Sequence, residues 1–243
     1  MTRAIILAGG LGQRLRTIIS DVPKPMAPIN GKPFLAYQIE QLKRFDIDHV
    51  VLSIGYLGGV IVDYFRDYYA GIRITYSIES EPMGTGGGML LALEKLDSDE
   101  HVLLLNGDTY FDINFHNLMQ LHERHKAGIS IALFRANMPE RYGLVCAKPN
   151  NQIAKICSEK ARLNDLANGG VYIVDPKVIK GNYRGSIEKV SLEKEIFSTL
   201  LTKGVSIVGF EYSGNFIDIG VPEDYLRAAS IMLNKRSDVT NVN

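Results

Sequence analysis

Cysteine is scarce in this chain of 243 residues, where only Cys146 and Cys157 occur. They form no C-x-x-C pair, which excludes a disulfide scaffold or a thiolate zinc site and leaves two buried free thiols as the expectation. An excess of either charge is also missing, since 27 Lys+Arg offset 27 Asp+Glu. A general nucleic-acid or anionic-membrane surface needs a basic excess, so neither partner is expected. No stretch approaches the ~18 apolar residues that cross a bilayer. The first apolar run, Ala4 to Ala8, gives way to Gly9-Gly10 without the long h-region of a signal peptide, which places the protein in the cytoplasm by expectation. Repeats, low-complexity runs and linker-like composition breaks are absent too. A chain this long can bury about 72% of its unfolded surface. One domain is therefore expected over residues 1–234, followed by a frayed polar tail at 235–243.

Present instead are compact apolar runs at residues 3–8, His49–Ile54, Ile72–Ile78, Val102–Leu105 and Ile129–Phe134, each consistent with a buried strand. Helical spacing lies between them. Leu35, Ile39 and Leu42 keep it after Pro33, Met89, Leu93 and Leu96 after a glycine cluster, and Leu118 and Leu121 within Phe115–His125. This alternation predicts an α/β fold, a Rossmann-like, mostly parallel sheet flanked by helices, with its ligand crevice beyond the carboxyl ends of the strands. From about residue 136 short β-like pieces take over (Tyr142–Ala147, Ile153–Ile156, Gly170–Val174, Val205–Phe210) until the helix pattern of Pro222–Leu233. A nucleotide half over 1–135 and a smaller β-rich half over 136–234 follow. His122-Glu123-Arg124-His125 lacks the i, i+4 histidine spacing of a zinc helix and is expected on a solvated face. Tyr64, Phe65, Tyr68 and Tyr69 suggest packing or a homo-oligomer contact.

The first strand runs into Gly9-Gly10-Leu11-Gly12-Gln13-Arg14-Leu15, where glycines let backbone N–H groups approach a phosphate. The dinucleotide fingerprint fails, because Leu15 stands at its third glycine and the second strand ends without a ribose-binding acid. A G-x-x-x-x-G-K-[ST] loop occurs nowhere. Arg14 and then Pro23-Lys24-Pro25-Met26 supply a forked cation and a lysine on a stiffened backbone, a pair suited to a triphosphate.

Leu7 to Leu15 with Pro23-Lys24-Pro25-Met26 resembles the signature of the sugar-1-phosphate nucleotidyltransferases. Glu81-Pro82-Met83-Gly84-Thr85-Gly86-Gly87, Asn106-Gly107-Asp108, Ser158-Glu159-Lys160, Asn168-Gly169-Gly170 and Phe216-Ile217-Asp218-Ile219-Gly220 agree in order. The resemblance spans residues 3 to about 233. It departs where the family often carries proline: this chain reads Arg16-Thr17-Ile18 after Leu15, and Ala161 after Glu159-Lys160. The resemblance implies the nucleotide-diphospho-sugar transferase fold and Mg²⁺ held by Asp108 and Asp218. It further implies an NTP and a sugar 1-phosphate as substrates. Arg14, Lys24 and Asp108 are then catalytic. Leu7, Ala8, Gly9, Gly10, Gly12, Arg14, Lys24, Glu81, Gly84, Thr85, Gly86, Asn106 and Gly107 would meet the nucleotide, and Gly143, Glu159, Lys160, Asn168 and Gly169 the sugar. The finer likeness of these segments, continued through Val221-Pro222-Glu223-Asp224-Tyr225, is to the branch that uses GTP and a D-glycero-α-D-manno-heptose 1-phosphate. Mannose 1-phosphate guanylyltransferases and the uridylyl- and thymidylyltransferases of other sugar 1-phosphates are the competing branches. A non-catalytic nucleotide-sugar-binding subunit is the competing class, and one that would be expected to lose Lys24 or the aspartates.

Overall fold

The computed structural model of the chain describes residues 3–10, 12, 15, 18–19, 21–96, 99–137 and 141–233, the side chains of 157–160 and 233 excepted. Its strands are β1 (Arg3–Leu7), β2 (Pro28–Ile29), β3 (Lys32–Pro33), β4 (His49–Ile54), β5 (Tyr68–Tyr69), β6 (Ile72–Ile78), β7 (Val102–Asn106), β8 (Thr109–Phe111), β9 (Ile129–Arg135), β10 (Gly143–Ala147), β11 (Ile153–Lys160), β12 (Leu166–Val174), β13 (Ile207–Glu211) and β14 (Phe216–Asp218). The α-helices are α1 (Phe34–Lys43), α2 (Gly58–Phe65), α3 (Gly84–Leu93), α4 (Phe115–Arg124), α5 (Pro176–Asn182), α6 (Ser198–Thr202) and α7 (Pro222–Leu233).

The most apolar runs occupy the middle of the sheet, where both faces are covered. β7, β1, β4 and β6 lie side by side and parallel, with Ile6 opposite both Leu52 and Leu105. β12 extends this core antiparallel to β7, and β9 and β10 pair with β12. Alternation along β1 sends Ala4 and Ile6 to one face with Leu35, Ile39 and Leu42 of α1, and Ile5 to the other with Met89 and Leu93 of α3. A third apolar cluster joins Phe34 of α1 to Tyr110 of β8, Ile217 and Ile219 around β14, and Ala228 and Met232 of α7. It clamps the two-stranded β8–β14 ribbon over the start of α1.

Three expectations need correction. The glycine cluster does not precede its helix; α3 begins at Gly84 and includes Gly86, Gly87 and Gly88. Close packing explains this, since a Cβ on Gly87 would run into the Ile187 carbonyl and one on Gly86 into Val190. His122 is 1% exposed rather than solvated, its Nδ1 2.9 Å from the Ser130 hydroxyl and its ring edge-on to His101. It lies on the inward face with Leu118 and Leu121. Cys146 is half-buried rather than buried, next to the buried Val145 on β10; the Cys157 side chain and the tail lie outside the described residues. Phe65 is buried against Tyr69, ring centroids 4.9 Å apart, while Tyr64 and Tyr68 are exposed. Among the described residues no helix is long and apolar enough to cross a membrane.

Candidate functional site

The four parallel strands end on one side, at Leu7, Ile54, Ile78 and Asn106, and a cavity of about 630 Å³ opens beyond them. Leu7, Ala8, Gly9, Gly10, Gly12, Lys24, Gly84, Thr85, Asn106, Gly107 and Asp108 all line it. These are residues that the family resemblance assigns to the nucleotide or the metal. Gly84 and Thr85 belong to the first turn of α3, so the positive end of that helix dipole faces the cavity.

Asp108 sits in the tight turn between β7 and β8. Gly107 makes the turn fit, because its N–H donates to the Leu7 carbonyl at 2.9 Å and a Cβ would stand 2.6 Å from that oxygen. Asp218 arrives from far along the chain on β14, which pairs antiparallel with β8 and sets Asp218 opposite Thr109. The Ile219 N–H donates to the Asp108 carbonyl at 3.0 Å. The ribbon thus fixes two carboxylates side by side.

Lys24 approaches them from the opposite wall. Pro23 and Pro25 flank it in a single 3₁₀ turn, with Pro25 and Met26 buried, so the backbone is anchored while the side chain enters the site. Its Nζ lies 2.7 Å from Asp108 Oδ2 and 3.5 Å from Asp218 Oδ1. A second cation, Arg141, lies 3.6 Å from Asp218 Oδ2 and pairs with the buried Asp224, which also holds Arg227 at 3.0 Å.

Asp108 and Asp218 therefore converge on one positive charge, and the Asp108 side chain is 41% exposed toward solvent. Two hard oxygen donors in that setting fit Mg²⁺, which is usually held by one or two carboxylates plus phosphate oxygens and water. Among the described residues no group of three or more His, Cys, Asp or Glu is placed to hold a metal ion.

Beside the cavity, Asn168 Nδ2 donates to the Tyr172 hydroxyl at 2.8 Å, and that hydroxyl donates to Glu193 Oε1 at 2.7 Å. Burial first, and Glu193 second, hold the Tyr172 hydroxyl well above the usual phenol range, so it stays a neutral donor. Gly169 packs on the Phe111 ring, and Gly170, at φ +69°, fits against Thr109 and Asn106 where a Cβ would not. Gly143 is exposed and pairs with Lys160 across β10 and β11. Arg14 and the side chains of Glu159 and Lys160 lie outside the described residues.

Two expected nucleotide residues do not reach the cavity wall. Glu81 is exposed on the outside, and Gly86 is buried against Val190. The glutamate that does line the cavity, with Asp108, is Glu79, which accepts from the Ser53 hydroxyl and the Met83 N–H, both at 3.0 Å. Sequence parity points the wrong way: Ile72 and Ile74 are buried, which would carry Ile78 inward and Glu79 outward, but the alternation shifts along the strand so that Ser77 is fully buried and Ile78 is 66% exposed. Pro25, Pro82 and Gly220 complete the wall, and Glu193 and Arg141 also went unmarked. Nothing local distinguishes those two from surface charges.

Residues 3–235 match the family model described as nucleotidyl transferase. The chain is 42% identical over 229 residues to a D-glycero-alpha-D-manno-heptose 1-phosphate guanylyltransferase of Aneurinibacillus thermoaerophilus, covering 93% of this chain and 96% of that one. A protein of the same description from Campylobacter jejuni is 40% identical over 223 residues, covering 92% and 96%. Among solved structures, HddC from Yersinia pseudotuberculosis complexed with GMP-PN superposes with a TM-score of 0.81 at 31% identity, over 95% of this chain and 99% of that one.

Proposed function

Because the chain belongs to the nucleotidyl transferase family, we propose that it transfers the guanylyl group of GTP to a manno-configured heptose 1-phosphate, giving a GDP-heptose and pyrophosphate. The observation that carries this reading is the convergence of Lys24, Asp108 and Asp218 at the carboxyl ends of the parallel strands.

A phosphate oxygen of the sugar 1-phosphate attacks the α-phosphorus. The new P–O bond forms as the bond from α-phosphorus to the α–β bridging oxygen breaks, and its electron pair leaves with pyrophosphate. The nucleophile is already anionic at neutral pH, so no side chain has to remove a proton. What remains for the protein is positioning and charge neutralisation. Lys24, freed from its two carboxylates by an arriving triphosphate, presents its ammonium to the α-phosphate. The glycine loop after β1 admits the phosphates close to backbone N–H groups. The buried Tyr172 hydroxyl ties the half-buried Asn168 and Glu193 together, and the polar atoms of those two side chains are the ones placed to meet sugar hydroxyls. Mg²⁺ bound by Asp108 and Asp218 would supply the charge that joins triphosphate and incoming phosphate.

Guanine is favoured by Glu79. Its N1–H and N2 amino group are adjacent donors that a carboxylate can accept together, whereas uracil and thymine offer a carbonyl oxygen on each side of a single N–H. Ser53 and Met83 each take one lone pair of Glu79, and a base that leaves the remaining ones unmatched can cost up to about 10⁴-fold in kcat/KM. The test is pyrophosphate release from a matrix of four NTPs against heptose, mannose, glucose and N-acetylglucosamine 1-phosphates. GTP with the heptose 1-phosphate should turn over fastest and mannose 1-phosphate more slowly. Faster use of UTP or dTTP than of GTP would refute the guanylyl assignment.

A further inference from the structure

Gln38 interrupts the apolar inner face of α1. It shares that face with Leu35, Ile39 and Leu42, and like them it is fully buried. A leucine there would complete the helix stripe without burying an amide. The amide nitrogen instead donates both of its hydrogens, to the Asn106 carbonyl at 2.8 Å and to the Thr109 carbonyl at 2.7 Å. These two carbonyls bracket Gly107 and Asp108, so one side chain closes the turn that carries Asp108. The Gln38 amide oxygen, meanwhile, has no hydrogen-bond partner among the described residues. The side chain is therefore held in the core for its donors alone.

The same turn governs Asp218. The Asp108 carbonyl receives the Ile219 N–H, and Thr109 pairs with Asp218 across the ribbon, so a displaced turn moves both carboxylates. We infer that Gln38 is a positioning residue that sets the placement of Asp108 and Asp218 through the backbone, without touching substrate. This rests on the guanylyl transfer proposed above. Gln41 gives an internal comparison. It is also buried on α1 and donates to a carbonyl of the same segment, that of Phe111 at 2.7 Å, but beyond the turn.

Gln38→Met and Gln41→Met keep side-chain length and remove the donors. The measurements are thermal midpoint, kcat and KM for GTP, and Mn²⁺ binding by calorimetry in the presence of a GTP analogue with a non-hydrolysable α–β linkage. Both variants should lose thermal stability. Only Gln38→Met should lower kcat, by about ten- to a hundredfold as expected for a small misplacement of the reacting groups. Its KM for GTP should stay within about threefold, the signature of an interaction lost chiefly in the transition state, and its Mn²⁺ affinity should fall. If Gln38→Met fails to fold, Gln38→Glu replaces it with the same direction of effect, since a buried glutamic acid carries one proton and can donate to only one of the two carbonyls. Unchanged kcat in the Gln38 variant, or equal kcat losses in both positions that follow their thermal midpoints, would overturn the inference. An inactive wild type overturns the proposed function as well; an active wild type with an unimpaired Gln38 variant overturns this inference alone.

Discussion

At the residue scale, Lys24 has two partners and one position. Its ammonium neutralises Asp108 and Asp218, the same carboxylates that would hold a divalent cation. Removing it has opposite effects on binding and on turnover. Lys24→Met should lose more than about a hundredfold in turnover, because one preorganised charge contact supplies about 2.7–4 kcal/mol in the transition state. The same variant should bind Mn²⁺ more tightly when no nucleotide is present, since Asp108 has lost its counter-ion and Asp218 keeps only Arg141 at 3.6 Å. Calorimetric titration checks this, and equal or weaker binding would count against the exchange. His122 makes a pH prediction remote from the site. Burial first, and His101 second, lower its pKa from 6.5 to about 4. The folded state thus prefers neutral His122, so its contribution is fully present above pH 6.5 and is lost as pH falls from 6.5 toward about 4. The slope is roughly 1.4 kcal/mol per pH unit across that window. His122→Gln can keep a hydrogen bond to Ser130 without titrating and should flatten this acid limb in urea denaturation.

At the scale of elements, glycines act in two different ways. Gly10 has open space where a Cβ would go, whereas a Cβ on Gly87 would meet the backbone carbonyl of Ile187, which cannot rotate away. Gly87→Ala should therefore destabilise the fold by about 1–3 kcal/mol, the usual range for overpacking. Gly10→Ala should leave stability within about 0.5 kcal/mol, as for surface changes, and raise KM for GTP by crowding the phosphates. Denaturation midpoints and GTP kinetics on both proteins separate the two roles. The strands were legible because β1, β4, β7 and β9 are almost wholly buried runs and β6 a run of β-formers, and α7 because its pattern runs the length of Pro222–Leu233. The start of α3 was not, because glycine disfavours helices locally and only packing against residues 187–196 makes it the fitting choice. Gln38 and His122 escaped for the converse reason: both are polar side chains on inward faces, and only their tertiary partners explain their burial.

At the scale of the whole molecule, the site exists because the two halves of the chain share one sheet. Residues 3–106 supply the parallel strands and the glycine loop, while β14, far along the chain, supplies the second aspartate through its ribbon with β8. Asp218 could be placed in the site beforehand only through its resemblance to a known motif, since no local pattern says which distant strand pairs with β8. Glu79 is not legible in the sequence, because the alternation along β6 shifts between Ile74 and Ser77 and only the folded strand shows it. What the assembled site does to its substrates is most directly read by isotope. A heptose 1-phosphate carrying ¹⁸O at its three non-bridging phosphate oxygens, incubated with GTP, Mg²⁺ and the protein, should give a GDP-heptose that retains all three labels and an unlabelled pyrophosphate by mass spectrometry. Label in the pyrophosphate, or no nucleotide sugar at all, would contradict attack of the sugar phosphate on the α-phosphorus of GTP.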